Sequence, residues 1–295
     1  MRTDGPQGAD VQVAVSARDA VGEGPFWDPR RRELLRVDIR AEQVIRWSAD
    51  RDEETRIDVG GPVSLAIPDG DGGLVVAGGS SVTRWRSDGS RSEIGRVDVE
   101  TPSTTLNDGK CDQRGRLWVG TWDRDGGARA TLSVVDLDGS VRVAEEGLSA
   151  SNGLAWNADS SRLYLVDTPR RVIWQYDFAL REGELGAHEV FVRLDEGAGL
   201  PDGLATDEAG GVWVALFRGG AVHRYDADGA LTHVVPVPVT YPTSLAFGGS
   251  DLRTVFVTTG TAHLASADSE PAAGSVLAFP SDVPGVSVGP YRGED

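Results

Sequence analysis

The feature that most constrains the fold is a unit that recurs six times along the chain. Each unit contains a short apolar string such as Leu117-Trp118-Val119, preceded by an opening segment in which an anchor residue stands before a Gly or a Ser. The anchors are spaced 40 to 50 residues apart. They are Glu23, Val63, Asp108, Asn152, Asp202 and Thr243. Because this period is typical of a propeller blade, the sequence predicts an all-β, six-bladed β-propeller of four-stranded blades.

The two ends of the chain carry the signal for ring closure. The sixth unit is one strand short of a full blade, with strand-like segments at 243–247, 254–258 and 276–279. A spare strand-like segment lies at 11–15, and pairing it into the last blade would remove the exposed sheet edges. We therefore expect residues 11–295 to form a single propeller domain. Residues 1–10, which are rich in Gly, Asp and Pro, are expected to be disordered.

The net charge of the chain disfavours some classes of binding partner. The chain of 295 residues has a formal net charge of −17, which disfavours nucleic acid and anionic membrane surfaces. It contains no apolar run of the ~20 residues that a membrane span needs and no charged-then-apolar leader, so a cytoplasmic location is expected. The single cysteine, Cys111, has no partner for an internal disulfide. A closed ring is compatible with a monomer or a weak homo-oligomer.

Among the anchors with oxygen-bearing side chains, three are the candidate metal ligands. Equivalent positions of a ring of repeats converge on its axis, so Glu23, Asn152 and Asp202 are expected to face one another. Oxygen-only ligands select a hard divalent cation, with Ca²⁺ the first expectation and Mg²⁺, Mn²⁺ or Zn²⁺ as alternatives. Each Asn-Gly or Asp-Gly pair taken alone would be read as a simple turn. Their common place in the repeat favours the metal site.

The third unit leaves two candidates open. Asp108 stands in the anchor register, directly before Gly109, and Asn107 precedes it. Adjacent residues of a strand point to opposite faces, so only one of the two is expected to face the axis. Register alone favours Asp108, although a short acidic side chain can instead cap backbone N–H groups.

Several strings, in order and spacing, resemble the regucalcin/gluconolactonase family. They are Gly-Glu-Gly-Pro-Phe-Trp at 22–27, Asn-Asp-Gly-Lys at 107–110, Ser-Asn-Gly-Leu at 151–154, Pro-Asp-Gly-Leu at 201–204 and Phe-Gly-Gly at 247–249. The resemblance implies a six-bladed propeller with one catalytic divalent metal, held by Glu23, Asn152 and Asp202. It also implies that Asn107, rather than Asp108, contacts the substrate or the metal's water.

Two positions depart from the pattern of that family. Sugar-lactone members usually carry an Arg where this chain has Thr105, which removes a charged, multi-donor group. A second substrate-binding position falls on or near Asp125, where Glu is usual in regucalcin. Trp122 is a candidate pocket wall, with blade packing as the alternative. These departures favour a less hydroxylated or bulkier lactone.

The function expected from these residues is divalent-metal-dependent opening of a lactone ring by metal-activated water. Asp202 would act as general base, and Asn107 would orient the water or the substrate carbonyl. One alternative keeps the site but hydrolyses phosphotriesters. A second is a calcium-binding propeller without catalysis. A quinone-dependent sugar dehydrogenase is disfavoured, since no basic cluster suited to such an anionic cofactor is evident.

Overall fold

Six four-stranded antiparallel sheets form the ring in the computed structural model, which describes residues 10–99, 101–266 and 268–294. The first three blades consist of β2 (Gly22–Asp28), β3 (Glu33–Asp38), β4 (Gln43–Ser48) and β5 (Glu53–Asp58); β6 (Leu65–Pro68), β7 (Leu74–Gly78), β8 (Ser81–Trp85) and β9 (Arg91–Arg96); and β10 (Thr104–Cys111), β11 (Leu117–Asp123), β12 (Ala130–Val135) and β13 (Val141–Leu148).

The next two blades consist of β14 (Ser151–Trp156), β15 (Arg162–Asp167), β16 (Val172–Ala179) and β17 (Glu184–Arg193); and β18 (Leu200–Thr206), β19 (Val212–Phe217), β20 (Ala221–Tyr225) and β21 (Leu231–Pro236). A 3₁₀ turn at Glu196–Ala198 lies between them. The sixth blade consists of β22 (Pro242–Gly248), β23 (Thr254–Thr259), β24 (Val276–Pro280) and β1 (Gln12–Val15). The predicted six-bladed propeller is confirmed.

Ring closure occurs through the N-terminal strand, as the sequence predicts. β1 pairs antiparallel with β24, with Gln12 opposite Ala278 and Val13 opposite Leu277. The spare strand therefore completes the last blade and covers the edge of β24. The segment expected to be disordered, residues 1–10, lies outside the described residues apart from Asp10.

The blades are held together by apolar side chains between neighbouring sheets. Between the third and fourth blades, for example, Trp118 and Trp156 pack edge to face with their ring centroids 5.9 Å apart, and Phe178 lies against both. All three are at most 7% exposed. Because the innermost strand of each blade is buried on both sides, its side chains have fixed positions around the channel on the axis.

A C-terminal segment, residues 284–294, crosses the end of the channel where the innermost strands finish. Val286 N–H donates to the Thr206 carbonyl at 2.9 Å, and Gly70 N–H donates to the Tyr291 carbonyl at 2.8 Å. Tyr291 is buried, and its hydroxyl donates to the Asp136 carbonyl at 2.8 Å. This end of the channel is thereby reduced to a cavity of about 50 Å³. In the described part of the chain, no helix is long and apolar enough to cross a membrane.

Candidate metal and catalytic centre

The site is built on one irregularity that recurs in the innermost strands. In β10, β14 and β18, pairing with the neighbouring strand is interrupted directly after Leu106, Ser151 and Pro201, and two residues of the inner strand lie opposite one of its neighbour. In β2 the same lapse follows Glu23. Such a bulge bends the strand and changes the direction of its side chains, and bulges are frequent beside active sites.

The bulges decide which residue of the third blade is equivalent to the other ligands. The first residue after each lapse is Asn107 in β10, Asn152 in β14 and Asp202 in β18. The register argument that pointed to Asp108 counted back from Gly109, but Asp108 occupies the position that a glycine holds in the fourth and fifth blades. By this register Asn107, rather than Asp108, is the counterpart of Asn152 and Asp202.

Asn152 and Asp202 are in direct contact across two blades. The Asn152 Nδ2 donates to Asp202 Oδ1 at 2.5 Å and to Thr168 Oγ1 at 3.1 Å. The Thr168 hydroxyl in turn donates to the Pro201 carbonyl at 2.8 Å. The structure therefore fixes the relative position of two of the three predicted metal ligands.

Three carboxyl groups lie near the end of the channel where the innermost strands begin. The pKa of Glu23 is raised well above its usual value by burial and then by the charges of Asp202 and Asp108, against a hydrogen bond from Gly24 N–H. Burial and the Asp108 charge likewise raise the pKa of Asp202, against the hydrogen bond from Asn152. Asp108 therefore influences both carboxyl groups, although Asn107 is the residue that follows the break in pairing.

Asn107 and Lys110 tie the third blade to its neighbours. The Asn107 Nδ2 donates to the Ser151 carbonyl at 3.1 Å, and the Lys110 Nζ donates to the Leu204 carbonyl at 2.9 Å. Burial lowers the pKa of Lys110 to about 8, against the attraction of Asp108. Motif reasoning assigned Lys110 no role. The available signal was that it is the only lysine of the sequence, in a strand otherwise expected to be buried.

The donor set fits a hard cation only if the amide takes part. Among the described residues, no three or more His, Cys, Asp and Glu side chains form a group that would hold a metal. Glu23 and Asp202 would supply two carboxylates and Asn152 a carbonyl oxygen, which are ligand types that Ca²⁺ and Mg²⁺ accept. Buried carboxylates that repel one another are stabilised by a nearby positive charge, so the electrostatics of the site fit such an ion.

The other predicted substrate-binding residues lie further out. Thr105 pairs with Trp122 across β10 and β11, two residues before Asn107, and Trp122 is 42% exposed. Asp125 follows β11 and is engaged locally, since it accepts a hydrogen bond from Ser103 Oγ at 2.6 Å and lies 3.5 Å from Arg129 Nη2. Thr105 and Trp122 are thus next to the ligand-bearing strands, whereas Asp125 belongs to a rim loop.

The motifs on these strands agree with a known family over most of the chain. The sequence model described as "SMP-30/Gluconolactonase/LRE-like region" matches residues 21–261, which include every bulged position described above. The chain belongs to this family. The resemblance seen in the motifs is therefore confirmed.

Two relatives and one solved structure show what this chain is similar to. Pentonolactonase XacC of Haloferax volcanii is 35% identical, covering 84% of this chain and 84% of its own. The 6-deoxy-6-sulfogluconolactonase of Pseudomonas putida is 32% identical, covering 93% and 96%. The crystal structure of regucalcin from Agrobacterium tumefaciens, named a calcium-binding protein, shares the fold with a TM-score of 0.91 at 24% identity, covering 96% and 98%.

Proposed function

We propose that this protein is a divalent-metal-dependent lactonase that opens the ring of a sugar lactone or of a less hydroxylated lactone. Membership of the SMP-30/gluconolactonase family and the names of two relatives support lactone hydrolysis. The observation that carries the proposal is the contact of Asn152 with Asp202 at 2.5 Å, with the Glu23 carboxyl close enough for the Asp202 charge to raise its pKa.

Glu23, Asn152 and Asp202 would hold the cation, with Ca²⁺ as the first candidate. A bound divalent ion supplies Lewis acidity to an ester carbonyl and lowers the pKa of a nearby water. Glu23 and Asp202 would contribute the negative charge that retains it, and both would be ionised in its presence because the cation would offset their mutual repulsion. Asn152 contributes a neutral oxygen and leaves the net positive charge of the centre higher than a third carboxylate would.

Asp202 and Asn107 are the residues we assign to the reaction itself. The Asp202 carboxylate accepts the proton of the attacking water, a role that requires it to be ionised and within hydrogen-bond reach of that water. Asn107 is held in place by its bond to the Ser151 carbonyl and orients the water or the substrate carbonyl through its remaining amide groups. Both side chains belong to innermost strands, which keeps their geometry fixed during turnover.

The test is a pH-indicator hydrolysis assay on chelated protein, with Ca²⁺, Mg²⁺, Mn²⁺ and Zn²⁺ restored singly. The substrates are gluconolactone, xylonolactone, simple aliphatic lactones and one phosphotriester. We expect no lactone opening without metal and restoration by at least one cation. Hydrolysis of the phosphotriester alone, or of no ester despite calorimetric metal binding, would refute the proposal. The ranking of lactones reports what Thr105 does to substrate preference.

A further inference from the structure

A cluster of rings lies at the rim of the site-bearing face, near the fifth and sixth blades. Phe217, Tyr241 and His263 pack against one another, with centroid distances of 5.0 Å between Phe217 and Tyr241 and 5.2 Å between Phe217 and His263. Two arginines, Arg40 and Arg218, flank the rings. We call these five residues the cationic rim.

The rim is built on chain segments that pair with the strands of both carboxylate ligands. Phe217 pairs with Leu200, which begins β18 two residues before Asp202, and Arg218 follows Phe217 directly. On the other side, Asp38 at the end of β3 pairs with Gly22, the neighbour of Glu23, and Arg40 stands two residues further along.

His263 is brought to the same place by the loop after β23. The backbone N–H of Thr261 and of Ala262 donate to the Ala20 carbonyl at 3.0 and 2.9 Å. Ala20 precedes Glu23 by three residues, so this loop is anchored to the segment that enters β2. The rim therefore bridges the sixth blade, between the strands that carry Glu23 and Asp202.

Glu270 lines the same groove as Arg218, but its carboxylate accepts hydrogen bonds from the N–H and the hydroxyl of Thr240 and forms no ion pair within the described part of the chain. Neither Arg40 nor Arg218 forms an ion pair there, and the recorded side-chain contact of Arg218 places its Cζ 5.8 Å from the Phe217 ring centroid. Backbone contacts bring the Arg40 segment to the loop that carries His263, because Ile39 N–H donates to the Val21 carbonyl at 3.0 Å, next to the Ala20 carbonyl that accepts from Thr261 and Ala262. Burial, and then repulsion from Arg218 and Arg40, lowers the pKa of His263.

The rim is positively charged although the chain as a whole has a net charge of −17. Elsewhere its buried arginines face carboxylates, as Arg36 faces Asp19 at 2.7 Å and Arg224 faces Asp207 at 2.7 Å. Guanidinium groups left exposed beside a site and braced on aromatic rings are suited to bind an anion, because their planar donors match carboxylate and phosphate oxygens.

We propose that the cationic rim binds an anionic substituent on the substrate, so that the preferred lactone carries a phosphate, sulfonate or carboxylate group distant from its ester. Arg40 and Arg218 contact the anion, and Phe217 and Tyr241 contact the carbon skeleton that joins it to the lactone ring. The inference rests on the proposed lactonase function, since it assigns the far end of the same substrate.

The test uses product analogues that are stable in water. Gluconate and 6-phosphogluconate are compared as inhibitors of gluconolactone hydrolysis and, by calorimetry, as ligands of the metal-loaded protein. We expect 6-phosphogluconate to bind roughly tenfold or more tightly, as charge-assisted hydrogen bonds to an anion would give. Equal binding of the two acids would overturn the proposal.

Variants locate the effect. Arg40→Gln and Arg218→Gln should each reduce the preference for 6-phosphogluconate several-fold, and the double variant should abolish it, while kcat on neutral gluconolactone stays within about twofold. Arg181→Gln is the matched control, because Arg181 is highly exposed in the turn between β16 and β17, on the opposite face. A preference that survives in the double variant would refute the assignment.

Two further outcomes separate this inference from its alternatives. Inorganic phosphate should compete only weakly with 6-phosphogluconate; equal affinity would make the rim a site for free anions and overturn the substrate assignment. If no lactone is hydrolysed but 6-phosphogluconate binds through Arg40 and Arg218, the proposed reaction fails and the anion site stands. If gluconolactone is hydrolysed without any preference for the phosphorylated acid, the reaction stands and the inference fails.

Discussion

A buried aspartate lies near each end of β18, and the two differ in how many hydrogen-bond donors surround them. Asp207, directly after the strand, accepts hydrogen bonds from Arg224 Nε at 2.7 Å, Trp213 Nε1 at 2.8 Å and Gly211 N–H at 2.7 Å. Asp202, near its beginning, accepts one from Asn152 and lies near Asp108. Five residues apart in sequence, one carboxylate is fully matched by donors and the other is not.

The pKa values follow this difference. Burial alone would raise the pKa of Asp207, but the hydrogen bonds from Arg224 and Trp213 outweigh it and the pKa is lowered. Burial and the Asp108 charge raise the pKa of Asp202 well above its usual value. The charge of Asp207 is balanced by Arg224, whereas no positively charged group in the described part of the chain contributes to the pKa of Asp202.

The matched arrangement is repeated in the third blade. Asp112 accepts from Arg116 Nε at 2.6 Å and from Trp118 Nε1 at 3.1 Å. Both aspartates begin a turn in which a tryptophan follows six residues later. The third and fifth blades therefore use the same Asp, Arg and Trp contacts at the end of the innermost strand.

The largest effect is expected from Asp202→Asn. The change removes both the base and a charged ligand, so lactone hydrolysis should fall by about 10³-fold or more. Initial rates at saturating metal measure the loss. Since the substitution also relieves repulsion among buried carboxylates, the melting temperature of the chelated variant should equal or exceed that of the chelated wild type. Near-normal turnover with metal retained would contradict the role of Asp202 as base.

The matched control at the other end of the strand is Asp207→Asn. It leaves the Arg224 guanidinium without its counter-charge, so the free energy of unfolding should drop by about 3 kcal/mol while kcat stays within a few-fold. Urea unfolding and initial rates measure the two. A stable but inactive variant would contradict the assignment of a structural role to Asp207 and a catalytic role to Asp202.

The stability difference between wild type and Asp207→Asn should depend on pH. The folded pKa of Asp207 lies below its unfolded value of about 3.9, so its contribution to stability is fully present above that pH and is lost as the pH falls through the folded pKa. The stability difference between wild type and Asp207→Asn should therefore be constant from pH 7 to about 5 and shrink under more acidic conditions. A difference that grows on acidification would contradict this sign.

Metal addition should stabilise the protein through Asp202 and not through Asp207. At 100 times the dissociation constant, the cation should raise the free energy of unfolding by about 2.7 kcal/mol in wild type and equally in Asp207→Asn. The gain should largely vanish in Asp202→Asn. Calorimetric melting with and without chelator measures it, and an undiminished gain in Asp202→Asn would place the cation elsewhere.

The smallest effect is expected from Thr105→Arg. The added guanidinium should increase kcat/KM for polyhydroxylated lactones up to about tenfold, with little change for aliphatic lactones and in stability. The ratio of the two kcat/KM values is the measurement. Thr105→Gln, which adds length without charge, is the control; an equal gain in that variant would show that charge is not the cause.

The sequence was sufficient for the fold because each blade is a local unit with its own strand signals. The strands of the sixth blade were predicted at 243–247 and 254–258 and lie at Pro242–Gly248 and Thr254–Thr259. Pairing of the N-terminal strand could be predicted because a missing strand and a spare one complement each other. The C-terminal segment across the channel carries no repeat signal and was not foreseen.

The site was only partly predictable. The position before a glycine selects Glu23, Asn152 and Asp202 from the sequence, although in the structure Glu23 precedes its bulge and the other two follow theirs. The choice between Asn107 and Asp108 depended on a bulge that no residue spacing reveals. The contacts of Lys110 and the convergence of Arg40 with His263 arise from packing between blades that are distant in sequence. Periodicity within one blade contains no information about such contacts.

Closure of the ring by β1 has a consequence for how the protein is made. β1 leaves the ribosome among the first strands, yet its partner β24 is one of the last, about 260 residues later by the register of Val13 with Leu277. Throughout translation the early blades must persist as an open arc with unsatisfied edges. Slowed synthesis of the last blade, or substitutions that weaken the β1–β24 pairing, should therefore reduce the yield of native protein more than its equilibrium stability.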